Sequence, residues 1–151
     1  INQFSSPPIP GDLIEIFRGL YQHWAIYVGD GNVIHVVLPS ENTDAGGSRV
    51  KSVLRNKAIV KKEKLQDVVS SDKYRINNVL DEKYQPLPDI LQKAENLVGE
   101  TLPYDLLTRN CEHFVTQLRY GTPQSQQVQL SGAKSCGFCC CMLLHFLHFT
   151  F

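Results

Sequence analysis

The sequence has no excess of either charge, almost no cysteine before its end and no apolar stretch at its start, and each shortage removes a class of function. Fifteen Lys and Arg balance fifteen Asp and Glu. That argues against a dedicated nucleic-acid binder, which carries a marked basic excess. Only Cys111 precedes residue 136, while Cys136, Cys139, Cys140 and Cys141 crowd the last sixteen positions. A secreted disulfide scaffold spreads its cysteines through the fold, so this distribution points to a reducing compartment. Residues 1–10 are rich in Pro and Ser and hold no apolar core of a secretory signal. The first residue is Ile1 rather than Met, which suggests a trimmed or incomplete N-terminus.

What is present suits one globular domain. A length of 151 residues can bury a real core. With 42% apolar and 20% charged residues, collagen-like, coiled-coil and wholly disordered classes fall away. The charge balance conceals a basic run: from Arg49 to Lys64 seven basic residues stand against one acid, Glu63. Such a run is either an ordinary solvated surface or a patch that leans on acidic headgroups, where each Lys or Arg adds roughly 1 kcal/mol.

Four stretches differ in kind: a flexible N-terminus over 1–10, a folded domain over 11–121, a polar linker over 122–135 and an apolar segment over 136–151. Within the domain, Asp12–Arg18, His23–Val28 and Asn32–Val37 read as strands rich in Ile, Val and aromatics. Val50–Leu54, Ala58–Lys62 and Tyr74–Asn78 are further strand candidates. Asp89–Val98 places Ile90, Leu91, Ala94, Leu97 and Val98 at helical spacing, with Gly99 as its stop. Cys111–Tyr120 is the second helix.

The chemistry starts at Asn110-Cys111. Asn is a strong N-cap, so Cys111 falls in the first helical turn, where unpaired amides and the positive dipole end favour a thiolate and a lowered pKa. Cys111, Phe114, Val115 and Leu118 share a face, which turns the thiol toward the core and His113 away from it. Taken alone, Cys111 also fits an inert buried thiol. A nucleophile needs an imidazole, and the domain offers His23 and His35. The expected connection is a three-residue Gly29-Asp30-Gly31 loop, with Ala25 opposite His35 and the two imidazoles on one face of the hairpin. A two-residue turn would send them to opposite faces. The pair together with a first-turn Cys favours the functional reading.

PGDLIEIFR, HWAIYVGDG, the His35 strand, AIVKKE and above all RNCEHFVTQLRYG resemble the HRAS-like suppressor family. These are small phospholipase A/acyltransferases related to lecithin:retinol acyltransferase and, more distantly, to NlpC/P60 cysteine peptidases. The resemblance implies an α+β, permuted papain-like fold, an antiparallel sheet packed on helices, with 11–121 as the catalytic domain. It implies Cys111 as nucleophile, His23 as base and His35 as third member. Cys111 would then attack a glycerophospholipid ester, form a thioester and pass the acyl group to water, an amine or a hydroxyl, with phosphatidylethanolamine and lysophospholipid among the acceptors. Tyr21, Arg18 and Asn110 are candidate oxyanion or supporting residues; Tyr21 and Arg18 equally fit an ordinary surface. The expected partners are phospholipid and a membrane surface, with no nucleic acid, no cofactor and a monomeric state, in the cytosol or on the cytoplasmic face of intracellular membranes.

The tail departs from the family, whose members end in a longer apolar span followed by basic residues. Sixteen residues make a helix of about 24 Å against a hydrocarbon core of roughly 30 Å. Cys136–Phe151 is expected to be a membrane anchor, S-acylated on its cysteines, or an altered terminus. A zinc site on Cys136, Cys139, His145 and His148 is disfavoured, because five residues between the pairs are too few for a finger, so no metal is expected. A non-catalytic membrane-tethered interaction module is the competing class, although it would have no reason to keep Cys111, His23 and His35 together.

Overall fold

The computed structural model describes residues 6–39, 56–78 and 84–128. Within them six strands form one antiparallel sheet: β1 (Leu13–Phe17), β2 (Gln22–Gly29), β3 (Asn32–Val37), β4 (Lys57–Lys64), β5 (Lys73–Ile76) and β6 (Thr101–Pro103). The first four make a meander; β5 returns to the outer side of β1 and β6 caps β4, giving the order β5-β1-β2-β3-β4-β6. Three helices lie wholly within the described residues, α1 (Leu65–Val69), α2 (Leu87–Leu97) and α3 (Cys111–Tyr120), and residues 126–128 are helical as well. The class is α+β, as expected.

Pleat alternation gives the sheet two apolar faces. Trp24, Ile26, Ile34, Val36 and Val60 face α2 and α3, meeting Ile90, Ala94, Val115 and Leu118. Ile14, Ile16, Ala25 and Val33 face the other way and are covered by Leu65, Val68 and Val69 of α1. Each fully buried aliphatic side chain contributes about 1.5–3 kcal/mol over exposure. Both faces are therefore core, and a polar side chain placed on either must find a partner.

The hairpin that carries the two histidines departs from expectation in an instructive way. Ile26 pairs with Ile34 and Tyr27 with Val33, so continuing the ladder sets Ala25 opposite His35. The connection, however, is a two-residue turn at Asp30-Gly31, both at positive φ (52° and 74°), as a tight hairpin of this hand requires. Gly29 pairs with Asn32, and Val28 is left over as a bulge. That extra residue restores the register which a plain two-residue turn would have reversed.

Other differences have local causes. α2 begins at Leu87, two residues before the expected start, because Pro88 fits the first turn of a helix without cost. α1 and β6 were not expected: five and three residues are too short to show a period. The pleat of β4 divides the basic run, since Lys62 turns toward α2 and bonds Glu95 at 2.6 Å while its neighbours Lys61 and Glu63 face the opposite side. Arg49, Lys51, Arg55 and the Val50–Leu54 strand lie outside the described residues.

The chain beyond Tyr120 stays with the domain for one more turn. Gly121, at φ 77°, closes α3 in the left-handed conformation. The Gln124 carbonyl oxygen then accepts from the Thr116 hydroxyl at 2.9 Å, and Ser125 is buried against α3. Among the described residues no helix is long and apolar enough to cross a membrane; the rest of the expected linker and the 136–151 segment lie outside them.

Candidate active site

The N-terminus of α3 forms as the sequence predicts. The Asn110 side-chain oxygen accepts from the His113 amide at 3.0 Å, and the His113 Nδ1 accepts from the Asn110 amide at 3.2 Å. This reciprocal cap uses His where Glu or Gln is usual, and it accounts for His113, which is not available as a base. The Asn110 side-chain nitrogen donates to the Leu106 carbonyl at 2.9 Å. Asn110 thereby fixes the first turn and with it Cys111.

Cys111 is buried in the core shared by the sheet and α3. Its hydrogen-bond acceptor is the Gln22 carbonyl oxygen at 3.8 Å, not a His23 nitrogen. The amides of Trp24, Glu112 and Cys111 itself favour the thiolate, Trp24 most. The sulfur thus lies against β2 at the two residues that flank His23. The helix terminus does not deliver the lowered pKa expected of it. Burial, with the Glu112 charge a lesser contributor, pushes the thiol up from 9.0 to about 11. Removing the solvation of an anion outweighs a few oriented amides.

His23 and His35 meet. His23 Nε2 lies 2.7 Å from His35 Nδ1, with the rings edge to face. Both are buried, on the sheet face of Ala25 and Val33 that α1 covers. Burial, the neighbouring His35 and the Arg18 charge hold His23 well below its ordinary pKa. Burial also lowers His35, against an opposing pull from Glu63. Thiol and imidazoles are therefore all uncharged near neutral pH.

Glu63, from β4, is the member that sequence reasoning did not find. Its Oε2 lies 2.6 Å from His35 Nε2. Because His35 is neutral, this contact is a ring N–H donating to a carboxylate rather than an ion pair. The available signal was its position as the lone acid of the basic run; what hid it is that β4's register against β3 cannot be read from the sequence.

The three supporting candidates have different surroundings. Arg18 Nη2 donates to the Val68 carbonyl at 2.9 Å, tying β1 to α1, and its charge reaches both imidazoles. Tyr21 is half-buried in the turn before β2, where its carbonyl accepts from the Arg18 amide at 3.0 Å. Asn110 is the cap described above.

Behind the nucleophile a second polar cluster closes the site. The Glu112 carboxylate, almost fully buried, accepts from the Ser125 hydroxyl at 2.6 Å and the Gln126 amide at 2.8 Å. It also accepts from the Gln127 side-chain amide at 3.3 Å. That same amide donates to the Gln22 carbonyl at 3.4 Å, the oxygen that the thiol also uses. Among the described residues no group of His, Cys, Asp and Glu is arranged to hold a metal ion.

Residues 6–124 match the family described as lecithin retinol acyltransferase. The chain is similar to phospholipase A and acyltransferase 3 of Homo sapiens, 60% identical over 124 residues that make up 81% of this chain and 76% of that one. It is 57% identical over 123 residues to phospholipase A and acyltransferase 2 of Homo sapiens, covering 80% of this chain and 76% of the relative. To phospholipase A and acyltransferase 4 of Homo sapiens it is 56% identical over 124 residues, with shares of 81% and 76%.

Proposed function

The chain belongs to the lecithin retinol acyltransferase family, and from that premise we propose that it is a thiol-dependent phospholipase A and acyltransferase working through Cys111, His23 and His35. The observation that carries the reading is the 2.7 Å contact between two buried neutral imidazoles, one on β2 and one on β3, where the β2 residues either side of His23 touch the nucleophile candidate. The fold we assign is the permuted papain-like arrangement, in which the base strand precedes the nucleophile helix. The order β2, β3, α3 supports it.

Both partners rest neutral, so the nucleophile is made during attack. The thiol leaves its weak bond to the Gln22 carbonyl and gives its proton to His23 Nδ1, the nitrogen not engaged with His35. Sulfur bonds to the ester carbon and the carbonyl π electrons move to oxygen. The Cys111 amide and its neighbours at the helix start can receive that negative charge. Collapse breaks the carbon–oxygen ester bond, and His23 returns the proton to the departing lysophospholipid oxygen. The thioester then loses its acyl group to water, which regenerates the thiol and free fatty acid, or to an amine or hydroxyl acceptor. Apo catalytic contacts are often loose and tighten on substrate binding, which suits a thiol that starts on the backbone. The enzyme meets its substrate at the cytoplasmic surface of a membrane, with residues 136–151 as the anchor.

Phosphatidylcholine hydrolysis by the purified full chain tests the reading. Cys111→Ser and His23→Ala should each lower kcat by about three orders of magnitude or more, and the double variant should lose little further, since the residues act as one unit. A Cys111→Ser protein that kept most of its lipase activity would overturn the thioester route.

A further inference from the structure

On the reading of His23 as the base, one side chain in this site still lacks a task. Glu63 stands on β4 opposite Val33, and His35 stands opposite Lys61, so Glu63 is the diagonal neighbour of His35 on the same sheet face. Of the charged residues close by on that strand, Lys62 is taken by Glu95 on the other face. Glu63 reaches past its basic neighbours to bond a ring nitrogen at 2.6 Å, on a side chain only 5% exposed.

We propose that Glu63 is the positioning residue that sets the tautomers of both histidines, so that Cys111, His23, His35 and Glu63 form a four-membered relay. The argument follows from donors and acceptors. An ionised carboxylate only accepts, so His35 must carry its proton on Nε2. His35 Nδ1 then has only a lone pair and must accept, which places the His23 proton on Nε2. His23 Nδ1 is left with a free lone pair, which is what a base for the thiol requires. Without Glu63 each ring can carry its proton on either nitrogen, and part of the population offers the thiol an N–H instead of a lone pair. The carboxylate has a second effect in the transition state. When His23 takes the thiol proton, the positive charge formed on the imidazole pair faces a negative group at its far end, which desolvated imidazoles otherwise lack.

The test uses the full chain and four variants: Glu63→Ala, Glu63→Gln, Cys111→Ser and, as a surface control, Glu95→Gln. Two things are measured: hydrolysis of micellar phosphatidylcholine across pH, and the 15N–1H spectra of the imidazoles. Glu63→Ala should lower kcat about ten- to a hundred-fold, a share of the roughly 10²–10⁴ a general base supplies, with KM changed less than about twofold. The acid limb of kcat/KM should move to lower pH, because a carboxylate that favours imidazolium has gone. The other charges facing the pair, Arg18 and Lys61, are kept in every variant. Glu63→Gln keeps an acceptor oxygen and should recover part of the rate without restoring the limb. In the parent both imidazoles should show the Nε2–H form, and in Glu63→Ala a mixture. Glu95→Gln should match the parent.

A merely structural role would reduce the yield of active protein and leave limb and tautomers in place. That result, or a Glu63→Ala rate within about twofold of the parent, overturns the inference. If Glu63→Ala fails to fold, the near-isosteric Glu63→Gln decides it through the limb and the spectra. Retained activity in Cys111→Ser would instead sink the reading beneath it; an inactive Cys111→Ser beside unaltered Glu63 variants sinks this inference alone.

Discussion

At Cys111 two influences oppose each other: the amides and dipole at the start of a helix favour a thiolate, and burial disfavours it. Burial wins, and the thiol holds its proton up to about pH 11 against an ordinary 9.0. The sign for stability follows. Between those values the unfolded chain has released a proton that the folded chain keeps, so stability falls as pH rises through the interval. The loss should reach about 1–3 kcal/mol near its upper end. Urea unfolding at pH 8 and pH 10.5 should show Cys111→Ser losing less stability than the parent, the difference removing other groups that titrate there. An equal loss in both proteins would contradict a buried, protonated thiol. The histidines give the opposite limb. Their folded pKa values lie below 6.5, so stability present above that value declines as pH falls through the interval toward them.

The element whose form matters most is α3 with the turn that follows. Its start was legible in the sequence, because Asn110 is a capping residue whose chemistry is local; in the structure Gly121 caps the other end. The strands of the meander were legible from their β-branched runs, but the histidine pair was reached through an expected three-residue loop, whereas a two-residue turn and the bulge at Val28 set the register. What stayed hidden depends on distance along the chain: the placement of Glu63, the depth that raises the thiol, and the return of residues 124–128 to Glu112. Those residues read as linker because Gln and Ser look solvated until a buried carboxylate claims them. Glu112→Ala leaves the Ser125 hydroxyl and the Gln126 amide without their acceptor and should cost about 2–3 kcal/mol in urea unfolding. Hydrogen exchange should quicken over 124–128 before it does in the sheet. If those amides stayed as protected as in the parent, Glu112 would not be what holds the segment.

For the molecule as a whole, helices among the described residues pack on both faces of the sheet and residues 124–127 bond to α3, so the domain should fold without anything later in the chain. Removing 129–151 should leave micellar phospholipid hydrolysis within about twofold of the full chain, while binding to neutral vesicles falls sharply with the loss of the proposed anchor, twelve of whose sixteen residues are apolar. Vesicle flotation distinguishes this from a tail that packs on the domain, in which case the shortened protein would lose solubility and activity together. The bulge at Val28 has a consequence at this scale too. A strand repeats every two residues, so it carries a phase, and Val28 is a half-period correction set between a turn of one length and a histidine pair that needs the other. Shortening or lengthening the hairpin by one residue would keep every catalytic side chain and yet put His35 out of step with His23. Changes in this loop that preserve the chemistry must therefore come in twos, or come with their own compensating bulge.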